Sequence, residues 1–206
     1  MKHPKYLILI TLLFCTSILA DTQLSSAVQL TRLLNQFTTL KANFTQKTVD
    51  INNQVLQKSN GNVMLQRPGH FRWETLAPSH QIVTTNGNTL WVYDVDLKQA
   101  TKQSLQHSAT NPAKLLSGNV SVLLQQFEVR LIPHEQVLVF QLTPKVGNEL
   151  FHRISISFLH EKLQAMQIQN NLAQTNVFTF SNIKINPPLS PSLFQFTPPD
   201  GVDVLQ

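Results

Sequence analysis

Apolar residues recur at spacings near three and four between Ser25 and Leu40, where Val28, Leu30, Leu33, Leu34 and Phe37 form one face of an amphipathic helix with Ser25 or Ser26 as its cap. From Lys41 the period drops to two. Ala42 and Phe44 fall opposite Asn43, Thr45 and Lys47, and the polar stretch from Asn52 to Asn62 predicts a long hairpin. Between Gly61 and Lys102 the pattern predicts three or four half-apolar strands around an Arg67-Pro68 turn and an Asn86-Gly87 hairpin. Val63 and Leu65 share a side with Arg67, Phe71 and Trp73 alternate against His70, Arg72 and Glu74, and Leu90 to Asp94 alternates again. From Thr101 to Gln126 the alternation stops. Apolar clusters at Leu115-Leu116 and Val122-Leu123-Leu124 bracket Ser117-Gly118, and Asn111-Pro112 can open a helix, so one or two short helices are expected. Strands return at Phe127–Ile132, Val137–Thr143, Leu150–Leu159, Leu163–Gln169 and Asn176–Ile185; in the third, Ile154, Ile156 and Phe158 alternate with Arg153, Ser155 and Ser157. In the proline-rich tail, Phe194 and Phe196 are placed to stitch a last short strand to the edge.

About ten strands with few helices describe a mainly β chain with some α. No repeat or composition break divides it, so a single antiparallel, strongly curved sheet with short helices against its inner face is the economical architecture. Periodicity does not distinguish this from a sandwich.

Residues 1–20 combine a basic start at Lys2 and Lys5, an apolar run from Tyr6 to Phe14 and the small Ala20 before Asp21, the layout of a secretory signal peptide. Residues 21–206 then form one exported domain. The sole cysteine, Cys15, lies in the leader, so the domain has no disulfide available. Lipid attachment at Cys15 is disfavoured by the bulky Phe14 before it, where a lipoprotein signal needs a small residue. The formal charge is only +5, part of it in the leader and none in a basic run, which argues against nucleic acid as a partner.

Catalytic chemistry finds little material. None of the seven histidines stands three to five residues from another as a helical ligand pair, so no metal is expected. Asp94 and Asp96 flank a strand end and fit a solvated turn better than an acid/base pair. There is no G-x-S-x-G, no phosphate-cradling glycine loop and no mature cysteine nucleophile, so neither enzymatic activity nor a cofactor is expected. What is in surplus is large apolar side chains at alternating positions, which could fill an ordinary core or line an open hollow.

The run RPGHFRW followed by NGNTLWVYDVDLKQAT resembles the LolA family of periplasmic outer-membrane lipoprotein carriers. KANFTQKTVD (Lys41–Asp50), LTPKVGN (Leu142–Asn148) and FQFTPPDGV (Phe194–Val202) extend the resemblance in family order across nearly the whole mature chain. The resemblance implies an incomplete β-barrel whose mouth is covered by helices. It further implies a lipid-binding cavity, placed here at Phe71, Trp73, Trp91, Phe140, Ile154, Ile156, Phe158, Met166, Ile168, Phe178 and Phe180, beneath a lid of Leu115, Leu116, Val122, Leu123 and Leu124. Arg67 matches the family's arginine before proline and is expected to latch that lid by donating to backbone carbonyls; a solvated strand-end charge is the plain alternative. The implied partners are acylated lipoproteins as cargo, an inner-membrane ABC-type lipoprotein release complex and an outer-membrane receptor lipoprotein, with the carrier itself a periplasmic monomer. A receptor of the same fold or a lipid-binding sensor are the alternatives.

Overall fold

A computed structural model describes residues 25–104, 116–147 and 151–205. The leader expected at residues 1–20 lies outside them. Helix α1 (Ser26–Leu34) is followed by β1 (Thr39–Val49), β2 (Val55–Gln66), β3 (His70–Ala77), β4 (Gln81–Asn86), β5 (Thr89–Asp94) and β6 (Gln99–Ser104). A short helix α2 (Val120–Leu124) leads into β7 (Phe127–His134), β8 (Val137–Pro144), β9 (Arg153–Leu159), β10 (Lys162–Gln169) and β11 (Thr175–Ile185). A 3₁₀ turn at Pro191–Phe194 and β12 (Asp203–Leu205) end the chain.

The strands form one open, curved sheet in the order β12-β6-β5-β4-β3-β2-β1-β11-β10-β9-β8-β7. The longest strands, β1, β2 and β11, stand at its centre, where β1 closes the two halves by pairing with both others. Register shifts at Lys41/Asn43 in β1 and Asn60/Gly61 in β2 add twist there, because an unpaired residue bends its strand. Gly61 permits a close crossing at this bend: a Cβ at that position would lie 1.9 Å from the Glu74 carbonyl oxygen and 2.8 Å from the Phe44 ring.

Several expectations shift in detail. Five strands, not three or four, occupy the region that starts in β2 and ends in β6, and twelve replace about ten. The extra one, β6, buries only Ala100, so its sequence lacks the alternation by which a half-buried strand is recognised. Helix α1 stops at Leu34 rather than Leu40. The Asn186 side chain accepts from the backbone N–H of Thr38 at 2.8 Å and draws this segment into the start of β1. Phe194 and Phe196 form no strand: prolines 187, 188, 191, 198 and 199 withhold ladder donors, and pairing resumes only at Asp203. There β12 joins β6 in parallel, so the otherwise antiparallel sheet has one parallel pair.

The main apolar cluster lies on one face of the sheet, from β3 across to β7, and includes residues of both helices. A second cluster, of Ile82, Tyr93 and Ala100 with Trp91, Val95, Phe196 and Val202, is built from β4 to β6 and the tail.

Candidate functional site

Strand pairing carries the apolar face from strand to strand without a break. Phe178 of β11 is opposite Met166 of β10, Met166 opposite Ile156 of β9, Ile156 opposite Phe140 of β8, and Phe140 opposite Leu131 of β7. A parallel row runs through Ile168, Ile154, Leu142 and Val129. Since strand side chains alternate faces, these rows point the same way only because every register step keeps parity. On the other side of β1 the face continues through Val63 and Trp73. Trp73 is the hub of an aromatic group, with its ring centroid 4.1 Å from Phe44, 5.1 Å from Phe178, 6.0 Å from Phe71 and 6.4 Å from Phe180.

Ten of the eleven residues expected in the cavity, namely Phe71, Trp73, Phe140, Ile154, Ile156, Phe158, Met166, Ile168, Phe178 and Phe180, therefore meet in one cluster. Trp91 does not. It pairs with Thr84, one residue out of step with the Trp73, Val83 and Val92 row, and so faces the opposite side of the sheet. There its ring lies 5.2 Å from Phe196 of the tail, a packing role in the second cluster.

Two helical segments cover the apolar face. Leu30, Leu33 and Leu34 of α1, Phe37 just beyond it, Leu116, and Val120 and Leu124 of α2 are all buried in the same cluster as the sheet residues. Ser25 caps α1 by accepting from the Val28 N–H, which fixes the helix rotation so that Val28 itself is exposed. Among the residues expected in the lid, Leu116 and Leu124 are buried and Val122 is exposed on the outer side of α2. Leu115 and the side chain of Leu123 lie outside the described residues. Both helices contact β7; Phe140 of β8 and Ile154 and Ile156 of β9 have no accessible surface, whereas Trp73 on β3 and Val129 and Leu131 on β7 remain partly buried.

Arg67 sits where sheet and cover meet. Its Nε donates to the Leu116 carbonyl at 3.0 Å, and its Nη1 donates to the carbonyls of Leu34 and Phe37, the latter at 3.0 Å. The guanidinium also lies 4.4 Å from the Phe37 ring centroid. One planar fork thus binds the C-terminal end of α1 and the separate Leu116 segment to the end of β2. The backbone adds a bond from the Gly69 N–H to the Ser117 carbonyl at 2.8 Å. No carboxylate pairs with Arg67 among the described residues, and burial pulls its pKa down to about 10, so at neutral pH it remains a cation held by neutral oxygens. A second tie is peripheral: Arg32 of α1 pairs with Glu161 in the β9–β10 turn at 2.5 Å, on exposed surface.

Among the described residues no group of three His, Cys, Asp or Glu side chains is placed to hold a metal ion. The densest polar group, Arg72, Glu74 and His80, lies on the β3 side away from Trp73. Burial raises the Glu74 pKa, but hydrogen bonds from His80 and Arg72 outweigh it and hold the carboxyl below its ordinary value. What the arrangement offers is an apolar face on a curved sheet, covered by apolar helical segments. Sequence reasoning assigned the cover too narrowly. The leucine face of α1 was visible as an amphipathic helix, and Phe44 as an alternating position, but what each packs against depends on the sheet's curvature.

The profile of the LolA family, outer membrane lipoprotein carrier protein LolA, matches residues 35–197. An outer-membrane lipoprotein carrier protein of Coxiella burnetii is 47% identical over 196 residues, covering 94% of this chain and 93% of that protein. One of Pseudomonas paraeruginosa is 40% identical over 205 residues, covering 96% and 99% respectively. Among solved structures, an uncharacterized conserved protein from Thermus thermophilus shares the fold with a TM-score of 0.53 at 10% identity, over 86% of this chain and 98% of that one.

Proposed function

The chain belongs to the LolA family of outer membrane lipoprotein carrier proteins, and from that premise we propose that it shelters the acyl chains of lipoproteins against the concave face of its sheet while they cross the periplasm. It is a carrier and not an enzyme. The observation that supports this site is the apolar face from Trp73 to Leu131, covered by two helical segments that the Arg67 guanidinium ties to the sheet together.

The energetics call for such a device. Burying a CH₂ contributes about 0.8 kcal/mol, so one long acyl chain represents on the order of 10 kcal/mol. Several chains held perfectly would pass the practical ceiling of roughly 20 kcal/mol for noncovalent affinity, and the cargo would never leave. The cover supplies the counterweight. Leu30, Leu33, Leu34, Leu116, Val120 and Leu124 occupy the apolar face. Displacing six such side chains costs on the order of 10 kcal/mol, the same size as one acyl chain gains. Lipid and lid compete for one surface, and net affinity is the small difference.

Loading from an inner-membrane ABC-type release complex and unloading to an outer-membrane receptor lipoprotein follow from that competition. A passive binder empties only into a partner with greater affinity for the lipid. Trp73, the partly buried hub of the aromatic group, is the first lipid contact, and the carrier acts as a monomer with no nucleotide of its own.

The test is to incubate the purified mature protein with inner-membrane vesicles bearing labelled lipoprotein. Cargo appearing in the supernatant as a one-to-one complex is expected; label that stays wholly with the vesicles in the presence of the release complex rejects the proposal.

A further inference from the structure

The apolar face has a polar end. Past Phe44 on β1 the alternation brings Gln46 and then Thr48 to the side of the sheet that the helical segments cover, and next to Phe178 on β11 it brings Asn176 to the same side. Pairing sets these residues together. Gln46 lies opposite Phe178 on β11 and Ser59 on β2, and Asn176 lies opposite Thr48 on β1 and Ile168 on β10. All four polar side chains belong to half-buried residues. They stand at the end of β1 away from Arg67, whose backbone N–H bonds the Thr38 carbonyl just before that strand begins.

The four form one network. Ser59 Oγ donates to Gln46 Oε1 at 3.2 Å, Gln46 Nε2 donates to Asn176 Oδ1 at 3.1 Å, and Thr48 Oγ1 donates to the same oxygen at 2.7 Å. Two donors on one amide oxygen fix which way the Asn176 amide points. Its Nδ2 donates to nothing among the described residues, and Gln46 Nε2 keeps a second N–H. The network thus uses its hydroxyl protons and amide oxygens internally and leaves amide N–H groups over, at the boundary of the apolar cluster.

Surplus donors suit one part of an acylated cargo. Every acyl chain ends in a carbonyl, ester or amide, which accepts hydrogen bonds and donates none. A carbonyl drawn out of water onto an apolar face must find a donor there, or its lost hydration cancels part of what the hydrocarbon gains. From Gln46 back to Leu40, β1 spans roughly 20 Å, about the reach of an extended long acyl chain, and presents Phe44, Ala42 and Leu40 inward along the way. We infer that Gln46 and Asn176 bind the acyl carbonyls of the cargo's lipid anchor, with the hydrocarbon running from there past Phe178, Phe44 and Trp73 toward α1. This inference rests on the carriage reading and adds to it where the polar end of the lipid sits.

The test uses the mature protein and two synthetic lipopeptides of equal chain length. One carries ester-linked palmitoyl chains; the other carries the corresponding ether-linked alkyl chains, which keep the hydrocarbon and lack the carbonyls. Each is titrated against a bound fluorescent fatty acid, and the ratio of the two affinities cancels any general change in folding or lid stability. Asn176→Leu, which removes the donors, should lower the ester-to-ether ratio roughly three- to tenfold, the size of a neutral hydrogen bond or two. Asn176→Asp still accepts from Gln46 and Thr48 but has no N–H, and should lower the ratio as far. Asn43→Leu is the control: Asn43 donates to Asn62 at 2.9 Å in a similar cross-strand network on the other face, and its loss should leave the ratio unchanged. An unchanged ratio in both Asn176 variants, or an equal fall in Asn43→Leu, overturns the inference and leaves carriage standing. Unaltered protein that binds neither lipopeptide overturns carriage, and this site with it.

Discussion

Replacing Arg67 with leucine tests the competition between lid and lipid most directly. The change removes three hydrogen bonds from a cationic donor to the carbonyls of Leu34, Phe37 and Leu116. At about 1.5–3 kcal/mol each, that is a gross loss of roughly 5–9 kcal/mol. Two effects offset it. The fall of the guanidinium pKa from its ordinary value to about 10 corresponds to a burial cost of at most ~3 kcal/mol, or about 2 once its residual contact with water is allowed for. The new leucine recovers about 1–2 kcal/mol of apolar burial. The closed lid therefore loses about 1–6 kcal/mol net, which raises the open fraction at least about fivefold and by roughly a hundredfold at the middle of that range. The twelve-stranded ladder is untouched, so the variant should fold. Because apparent affinity scales with the fraction of competent protein, cargo should load normally and be held at least about fivefold more tightly. Transfer of labelled lipoprotein from the preloaded carrier to receptor-bearing membranes should slow accordingly, and amide exchange over residues 26–34 should quicken. Arg67→Lys, which keeps the buried charge but not the fork, should fall between. Wild-type transfer by Arg67→Leu together with unchanged exchange in α1 would refute the latch.

Gly61→Ala should be severely destabilising, by more than about 3 kcal/mol, because its Cβ would sit inside the contact radius of the Glu74 carbonyl oxygen; thermal unfolding measures it. Trp73→Ala should weaken cargo binding in a lipoprotein-release assay, whereas Trp91→Ala should lower the melting temperature and leave release unchanged, since Trp91 packs on the other face. Glu74→Gln should destabilise near neutral pH and cease to matter in acid. The Glu74 carboxyl is held below its ordinary 4.5, so its contribution is fully present above that value and is lost as pH falls through the depressed one; urea titrations at several pH values should show the two proteins converge.

Much of the sheet could be read from residues because alternation is a local property. Ile154, Ile156 and Phe158 announce which way they point without reference to any other strand. Trp91 was misplaced for the complementary reason: it alternates correctly within β5, but which face of β5 looks inward is set by its pairing with β4, through Thr84 opposite Trp91 and Val83 opposite Val92. The polar β6 could not be seen because its hydrogen-bonding partners, not its own pattern, make it a strand. Helix α1 shows a third limit. Its apolar period runs on through Phe37, yet the helix ends at Leu34 and the chain turns into β1, where Asn186, 148 residues away, accepts from the Thr38 amide. Arg67 has no local signature at all. An arginine before proline reads as an exposed turn, and its role arises only where β2, α1 and the Leu116 segment converge.

That convergence also explains why a cation serves where an apolar residue would pack more cheaply. An apolar plug would make the closed state stable in proportion to its area, with nothing to set where the two helical segments sit. A planar fork with no carboxylate partner adds direction: it fixes the position of α1 and of Leu116 through its bonds, while the burial of its uncompensated charge offsets part of what those bonds contribute and leaves the net few kcal/mol that Arg67→Leu removes. When the lid lifts, the guanidinium regains water and recovers most of what burial cost, so opening is opposed by the remainder of its hydrogen bonds together with the apolar contacts that an entering acyl chain replaces. A carboxylate placed within reach of Arg67 should therefore impair carriage more than it impairs folding, by making the empty, closed protein too stable to load.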